Sequence, residues 1–359
     1  MATDEGTEVA RQAPATPRRL WQLEAARGFA AMYVFLHHYR ARAGIPLRFV
    51  LSFSTAAVMV FFLLSGFVIY LSSGVESGSY NWRTYARKRA VRILPPYLVA
   101  LVLAYVVDYV VRSGVPLNLD ILVRNLLFTV ESSSIHGAAG YHGNPPLWTL
   151  SYEVWFYVFF AVLIAVAGRS FERLRWSALA LSVIGFVSVW IVPNPVSQYA
   201  VLLVVWWAGA ELAHEWMQSR TLTFWGQRFG LAFIVAMMGM TGGRFVLVRH
   251  FGGTPYPRTA LVQLLIAAVI LVAVLLWYRV GLIGFRYTVG LFLVFGPISY
   301  GIYLFHYPII RLATDTDLRS APYLNLLWVV PAVLLFSWVF DYQLHRWLVR
   351  RTTRRAVDA

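Results

Sequence analysis

The sequence predicts an all-α, polytopic integral membrane protein with about ten transmembrane helices. Of its 359 residues, 59% are hydrophobic and only 13% are charged, whereas an ordinary soluble domain is about 25% charged. Apolar segments recur along the whole chain, and each is long enough to cross a hydrocarbon core about 30 Å thick as a helix. Arginines concentrate in alternate connecting loops, as the positive-inside rule requires.

The apolar pattern places the transmembrane segments at 20–39, 54–73, 95–111, 148–168, 176–193, 197–214, 229–243, 260–278, 288–311 and 323–347. The seventh is the weakest, because it is short and rich in glycine and methionine. A more polar stretch, 112–147, separates the third and fourth segments and contains an expected interfacial helix at about 119–130.

Loop charge predicts that both termini are cytoplasmic. With that orientation, the inner segments hold twenty Lys and Arg residues and the outer segments hold ten. Arg244, Arg249 and Arg258 are outer residues that oppose the rule. We expect a disordered cytoplasmic tail at 1–19, which lacks the apolar core of a signal peptide, a membrane domain at 20–348 and a basic cytoplasmic tail at 349–359. The expected location is the plasma (inner) membrane.

Composition excludes several kinds of chemistry. The chain has no cysteine, which removes thiol nucleophiles and thiolate metal sites, and we expect no metal. The net charge of +15 resides in short loops between apolar segments. We therefore expect a lipid bilayer, and no nucleic acid, as its charged partner.

The first apolar segment, LWQLEAARGFAAMYVFLHHY, carries four ionisable residues. At about 100° per residue, Arg27 and His38 lie nearly on one line of the helix, roughly 16 Å apart. Glu24 lies within about 60° of that line, three residues before Arg27, where an ion pair forms easily. His37 points about 100° away from His38. Glu24, Arg27 and His38 thus form one polar stripe along the helix. Charges in lipid are costly, so this stripe indicates a functional site. The alternative is that its side chains reach the headgroup regions on the two sides of the membrane.

Three titratable residues on different segments are expected at one depth near the outer side. His38 ends the first segment, Glu153 lies about two turns into the fourth, and His306 lies near the outer end of the ninth. Each alone is typical of an interfacial polar group, but their coincidence favours a site. Asp108, near the outer end of the third segment, is expected to be structural.

A dense basic cluster precedes the third segment, in YARKRAVRILPPY. Its members are Arg87, Lys88, Arg89 and Arg92. One interpretation is a topology anchor attracted to anionic lipid. The other is a receptor for a phosphorylated cytoplasmic ligand, because arginine binds phosphate oxygens bidentately. Pro95 and Pro96 are expected to restart the chain at the membrane surface.

Small residues interrupt the second segment, FFLLSGFVIY, at Ser65 and Gly66. Such residues allow close helix approach, which is their commoner role. A narrow passage for an acyl or pantetheine chain needs the same small residues. Ser65 has no local base to activate it as a nucleophile.

The motifs, taken together and in order, resemble the membrane acyltransferase family 3, the integral-membrane O-acyltransferases of surface polysaccharides and some secondary metabolites. The matching elements are Arg-x10-His (Arg27 to His38), FFLLSGF, RxxRI-x-P (Arg89, Arg92, Ile93, Pro95), LW-x-L-x-x-E-x-x-FY (Leu147 to Tyr157) and SYGIYLFHYP (Ser299 to Pro308). The family usually has LD-x-LRG where this chain has LEAARG, so that Glu24 keeps the carboxylate.

The resemblance implies transfer of an acyl group, usually acetyl from acetyl-CoA, to a sugar hydroxyl. By motif, Arg27 and His38 are the essential pair, Arg89 and Arg92 contact the CoA phosphates, and Glu153 belongs to the active site. We add Lys88, Ser65 and Gly66 along the donor path, and Glu24 and His306 as supporting residues.

A mechanism follows as a hypothesis. His38 is expected to act as the general base towards the sugar hydroxyl, with Glu153 or Glu24 orienting it; acylation of His38 itself is the alternative. The acceptor is expected to be a polysaccharide or glycolipid, with a glycosylated small molecule such as a macrolide as the alternative. Proteins of polysaccharide assembly are candidate partners. The rival classes are a proton-coupled transporter or flippase, and a scaffold without chemistry.

Overall fold

The computed structural model describes residues 20–46, 50–130, 141–192, 194–251, 256–316 and 322–357, and all regular structure within these ranges is helical. The predicted tail at 1–19 lies outside them. The α-helices are α1 (Trp21–Ala43), α2 (Ser54–Ser72), α3 (Trp82–Val111), α4 (Leu119–Leu126), α5 (Trp148–Ala167), α6 (Phe171–Ile191), α7 (Pro195–Val201), α8 (Leu203–Ser219), α9 (Arg228–Phe251), α10 (Tyr256–Arg279), α11 (Ser299–Thr314), α12 (Pro322–Phe336) and α13 (Leu344–Val357).

Each predicted apolar segment is helical in the structure. In the described part of the chain, eight helical stretches are long and apolar enough to cross a membrane. Their bounds are Ser54–Ser72, Trp82–Val111, Pro145–Ala167, Pro195–Ser219, Arg228–Leu247, Arg258–Arg279, Val289–Thr314 and Tyr323–Arg351. The remaining two predicted segments are α1 and α6, which have helical length but carry several charges near their starts. The weak seventh segment is a full helix, α9, and the expected interfacial helix is α4.

The prediction that Pro95 and Pro96 restart the chain is wrong, because α3 runs through both. The helix begins thirteen residues earlier than the predicted third segment, where the side chain of Asn81 accepts a hydrogen bond of 3.0 Å from the backbone N–H of Thr84. Pro95 leaves the carbonyl of Val91 without its helical donor. The side chain of His345, from α13, interacts with the Val91 backbone at this point.

Three of the predicted segments consist of more than one helical element. The sixth consists of α7 and α8 in succession. The ninth begins as a 3-10 segment, Val289–Ile298, that leads into α11. The last consists of α12, a π-helical segment at Ser337–Gln343 and α13. The helix continues past 349, into residues expected to form the basic tail.

The centre of the bundle is α8, which is buried from Leu203 to Ala213. It packs backbone to backbone on α2. A Cβ built on Gly66 would lie 1.9 Å from the carbonyl oxygen of Trp206, and one on Gly209 would lie 2.0 Å from that of Leu63. These two glycines therefore set the α2–α8 distance, and close helix approach is the role that the structure gives Gly66.

A similar contact holds α1 against the 3-10 segment. A Cβ on Gly28 would lie 2.2 Å from the carbonyl oxygen of Phe292, and one on Gly296 would lie 2.6 Å from that of Glu24. The close approach fixes the rotation of α1 about its axis. It thereby positions Arg27 and His38 relative to α11, which continues the 3-10 segment.

We predict that Gly66→Ala destabilises the protein, because the added methyl group meets backbone that cannot move aside. Overpacking of this kind costs about 1–3 kcal/mol. The matched control is Gly239→Ala in α9, where an added Cβ meets open space. The measurement is the thermal unfolding midpoint of both purified variants in one detergent. Equal midpoints would contradict the packing role of Gly66.

Candidate active site

A cavity of about 470 Å³ lies between α1, α2, α3, α5, α11 and α13. Six of the predicted site residues line it, namely Arg27, Ser65, Lys88, Arg89, Arg92 and Glu153. The structure thus brings together residues from four helices that are distant in sequence. Glu24, Gly66, His38 and His306, the remaining predicted residues, are not among the cavity-lining residues.

One end of this cavity is basic. Arg87, Lys88 and Arg89 line it and, in the part of the chain that the structure describes, form no ion pair. The guanidinium of Arg89 lies 5.9 Å from the ring centre of Tyr85 and 6.0 Å from that of Tyr157. Positive charge without carboxylate partners in a cavity is suited to an anionic ligand.

Arg92 differs from its neighbours because it already has a buried partner. Its guanidinium donates to the carboxylate of Asp341, whose side chain is 0% exposed. Asp341 also accepts a hydrogen bond of 2.9 Å from the backbone N–H of Gly301. That N–H belongs to the first turn of α11, where free amides favour a negative charge. Asp341 therefore links α3, α11 and the π-helical segment.

Three buried polar atoms around the cavity lack a hydrogen-bond partner among the described residues. They are Nε of Arg89, Nδ1 of His345 and Oγ of Ser299. Buried polar atoms are nearly always hydrogen-bonded, and an exception calls for an explanation such as a water or ligand. Their grouping around one cavity indicates that it receives a polar ligand.

Glu153 ends a directed chain of hydrogen bonds. Trp206 Nε1 donates to Ser65 Oγ at 3.2 Å, and Ser65 Oγ donates to the hydroxyl of Tyr157 at 3.2 Å. The Tyr157 hydroxyl in turn donates to Glu153. Every donor points towards the carboxylate, which stabilises its ionised form at the cavity wall. Ser65 thus supports Glu153 through Tyr157.

The structure joins His38 and His306 directly. Nε2 of His306 lies 3.0 Å from Nδ1 of His38, and the two rings stack with their centres 5.1 Å apart. Both residues come from predicted outer ends of segments, on α1 and α11. His37 faces another way and hydrogen-bonds the carbonyl of Leu51. The expected difference in direction between His37 and His38 is therefore present.

Tyr303 lies between the cavity and the histidine pair. It lines the cavity, and its ring centre is 5.8 Å from that of His306. Its hydroxyl is 2.7 Å from Oγ1 of Thr149 and 3.0 Å from the carbonyl oxygen of Pro146. Tyr303 therefore forms a direct contact between the wall of the cavity and the histidine pair.

The predicted polar stripe on α1 divides into two parts. Glu24 and Arg27 form no ion pair in the described structure, although their spacing favours one. Arg27 lines the cavity and interacts electrostatically with Asp341. The side-chain hydrogen-bonding partner of His38 is His306, in place of the orienting contact expected from Glu153 or Glu24, and the backbone of Val34, one turn earlier, also interacts with the His38 ring.

A second polar network surrounds the end of α11 beyond the histidines. Asp108 is 2% exposed and accepts from Arg311 Nη2 at 2.8 Å and from His142 Nδ1 at 2.9 Å. These contacts agree with the structural role expected for Asp108. Arg42 donates to Asp315. Burial alone would raise the pKa of Asp315, but hydrogen bonds, first from Arg42, hold that pKa below its usual value.

Sequence reasoning missed His345, Asp341 and Ser299. Asp341 could have been found, because it is a lone carboxylate in a long apolar segment and the rule applied to α1 covers it equally. His345 follows it by four residues, one turn along the helix axis. Ser299 is the first residue of the SYGIYLFHYP motif, but serine is common in transmembrane helices, so the motif alone does not make it a site residue.

Comparison with known proteins identifies the protein family. The family model described as "Acyltransferase domain" matches residues 20–342, and the chain belongs to this acyltransferase family, which confirms the resemblance seen in the motifs.

The chain is 31% identical to the "O-acetyl transferase" of Shigella phage Sf6 over 181 residues, which cover 46% of this chain and 53% of the phage protein. It is also 31% identical to "Acyltransferase MdmB" of Streptomyces mycarofaciens over 196 residues, 50% of this chain and 48% of that protein. The matches thus span about half the length of these curated relatives. No solved structure matches the chain.

We predict that Asp341→Leu strongly destabilises the fold, because it leaves the partly buried guanidinium of Arg92 without its carboxylate. Loss of one member of a buried ion pair costs about 3–5 kcal/mol. The double variant Asp341→Leu/Arg92→Met should recover part of this loss, since an apolar pair needs no charge compensation. The measurement is the thermal unfolding midpoint of wild type, Asp341→Leu and the double variant in detergent. A double variant less stable than Asp341→Leu would contradict the pairing argument.

Proposed function

We propose that this protein is a membrane-bound O-acyltransferase. It moves an acyl group, in the simplest case acetyl, from acyl-CoA to a sugar hydroxyl of a surface or extracellular polysaccharide or glycolipid. The observation that carries the proposal is a basic cavity whose lining residue Tyr303 is in ring contact with a hydrogen-bonded histidine pair. An anionic donor and a general base are the two requirements of this reaction.

The basic cavity supports a CoA donor. CoA combines a phosphate-rich nucleotide with a thin, polar pantetheine chain. Arg87, Lys88 and Arg89 supply cationic donors for the phosphates. The unpartnered atoms of His345 and Ser299 offer hydrogen bonds to the pantetheine amides or to the phosphates. In this proposal Arg92 contributes mainly through its pair with Asp341.

The proposed reaction is a direct transfer. Nε2 of His38 takes the proton of the acceptor hydroxyl while the hydroxyl oxygen attacks the thioester carbonyl. The new C–O bond forms, the C–S bond breaks, and the CoA thiolate leaves with the proton returned by His38. Arg27 and Glu153 line the route of the acyl group. The names of the two relatives, O-acetyl transferase and acyltransferase, agree with this class of reaction.

The proposed arrangement in the membrane has ten spans and two cytoplasmic termini. The eight apolar stretches together with α1 and α6 make ten, and loop arginines favour the orientation. The basic cavity then opens towards cytoplasmic acyl-CoA, and the histidine pair lies towards the opposite face. The proposed location is the plasma membrane, where a surface glycan would be accessible.

We predict that Arg89→Gln raises the KM for acetyl-CoA about tenfold to a hundredfold, as expected for a lost hydrogen bond to a charged group. The matched control is Arg346→Gln, an exposed arginine on α13 that contacts Tyr342 and does not line the cavity. Initial rates in membrane vesicles give the KM for acetyl-CoA of both variants. An S-acetyl pantetheine donor, which lacks the nucleotide, should not distinguish Arg89→Gln from wild type.

We predict that His38→Ala abolishes acyl transfer while the protein still inserts, whereas His37→Ala has a mild effect. The measurement is transfer of label from radioactive acetyl-CoA in membranes with equal amounts of each variant. Fractionation of the glycans and lipids then identifies the labelled acceptor. Equal losses in both variants would contradict the assignment of His38 as the base.

The same assay separates the alternatives. Label on a glycosylated small molecule, and on no polymer, would replace the polysaccharide with that acceptor. Absence of transfer with every acyl-CoA tested, in cells that contain the native glycans, would contradict the enzyme. A proton-coupled transporter would then be tested by flux measurements.

A further inference from the structure

The histidine pair has a hydrogen-bond direction that the heavy atoms determine. Nδ1 of His306 lies 3.0 Å from the carbonyl oxygen of Ile302, and its Nε2 lies 3.0 Å from Nδ1 of His38. The His306 side chain is fully buried, with 0% exposure. Both of its nitrogens are therefore used, one towards the backbone and one towards His38.

The carbonyl sets the direction of the chain. A carbonyl oxygen only accepts hydrogen bonds, so Nδ1 of His306 carries a hydrogen. A neutral imidazole has one N–H, which leaves Nε2 of His306 as an acceptor. Nδ1 of His38 must then be the donor of the bond between the rings. In neutral His38 the lone pair consequently resides on Nε2.

The surroundings favour two neutral rings. The titratable side chains nearest to the pair are His37 on α1 and Tyr303 and Tyr307 on α11. Beyond Tyr307, Arg42 contacts the Tyr307 hydroxyl at 3.3 Å. Within the described residues, neither His38 nor His306 forms an ion pair with a carboxylate. A charged imidazole here would lack compensation, which makes it costly.

From this geometry we infer that His306 is a positioning residue that holds His38 as the Nδ1–H tautomer, with Nε2 free to accept the proton of the acceptor hydroxyl. The inference rests on the proposed function, because His38 is the base only in that reaction. His306 gains and loses no proton over the cycle. It supplies the acceptor for His38 Nδ1–H, both before the transfer and while His38 carries the extra proton.

The test compares two substitutions of similar size. In His306→Gln, a side-chain oxygen can occupy the place of Nε2 and still accept from His38. In His306→Asn, the shorter amide can replace Nδ1 beside Ile302 but does not reach His38. We expect His306→Gln to keep kcat within about tenfold of wild type, the equivalent of one weakened hydrogen bond. His306→Asn should lower kcat about 10²- to 10⁴-fold, the usual contribution of a general base.

Two further measurements exclude a merely structural effect. The KM for acetyl-CoA should stay unchanged in both variants, because the donor cavity lies on the other side of Tyr303. Solid-state nitrogen NMR of histidine-labelled protein, with the His38 signals assigned by their loss in His38→Ala, should show Nδ1 protonated in wild type and His306→Gln. His37→Gln is the control substitution next to the pair and should leave this tautomer unchanged.

Two results would overturn the inference. One is a wild-type His38 that is protonated on Nε2 and free at Nδ1. The other is a His306→Gln variant as slow as His306→Asn while both keep the thermal stability of wild type. The proposed function fails in a different way, by absence of acyl transfer in wild type. The NMR measurement needs no turnover, so the two failures are distinguishable.

Discussion

The rest of the structure depends on the cost of placing ions among apolar helices. Moving a charge out of water costs several kcal/mol unless a partner or a wet cavity compensates it. Three buried or half-buried arginines have carboxylates from distant segments, and the pairs are Arg92–Asp341, Arg175–Glu211 and Arg311–Asp108. These pairs tie helices together. Around the cavity, Arg87, Lys88 and Arg89 have no such partner among the described residues, which indicates where an anion is expected.

Close backbone contacts between helices fix the positions and rotations of the helices that carry the site residues. Gly66 and Gly209 bring α2 onto α8, and Gly28 brings α1 onto the 3-10 segment that precedes α11. A rotation of α1 by one residue, about 100°, would move His38 away from His306. The glycines therefore act on the site at a distance, by fixing the face that each helix presents to it.

Apolar length alone predicted where the helices lie, because a chain in lipid must satisfy its own backbone hydrogen bonds. It could not predict that α3 continues through Pro95, since the side chain that interacts with the Val91 backbone there is His345, some 250 residues later. Six of the ten predicted site residues line the cavity. Local spacing failed for Glu24 and Arg27, which form no ion pair in the described part of the chain, and the carboxylate that interacts electrostatically with Arg27 is Asp341, which only the tertiary fold brings near.

The same cost of buried charge accounts for the partner of His38. In many enzymes a carboxylate orients the histidine base and compensates its charge when it is protonated. Here, beside a resting neutral His38, a carboxylate would be an isolated ion among apolar side chains. A neutral imidazole sets the same tautomer through one hydrogen bond and brings no charge. In the proposed reaction, compensation is needed only during transfer, when the departing thiolate supplies a negative charge and takes the proton back.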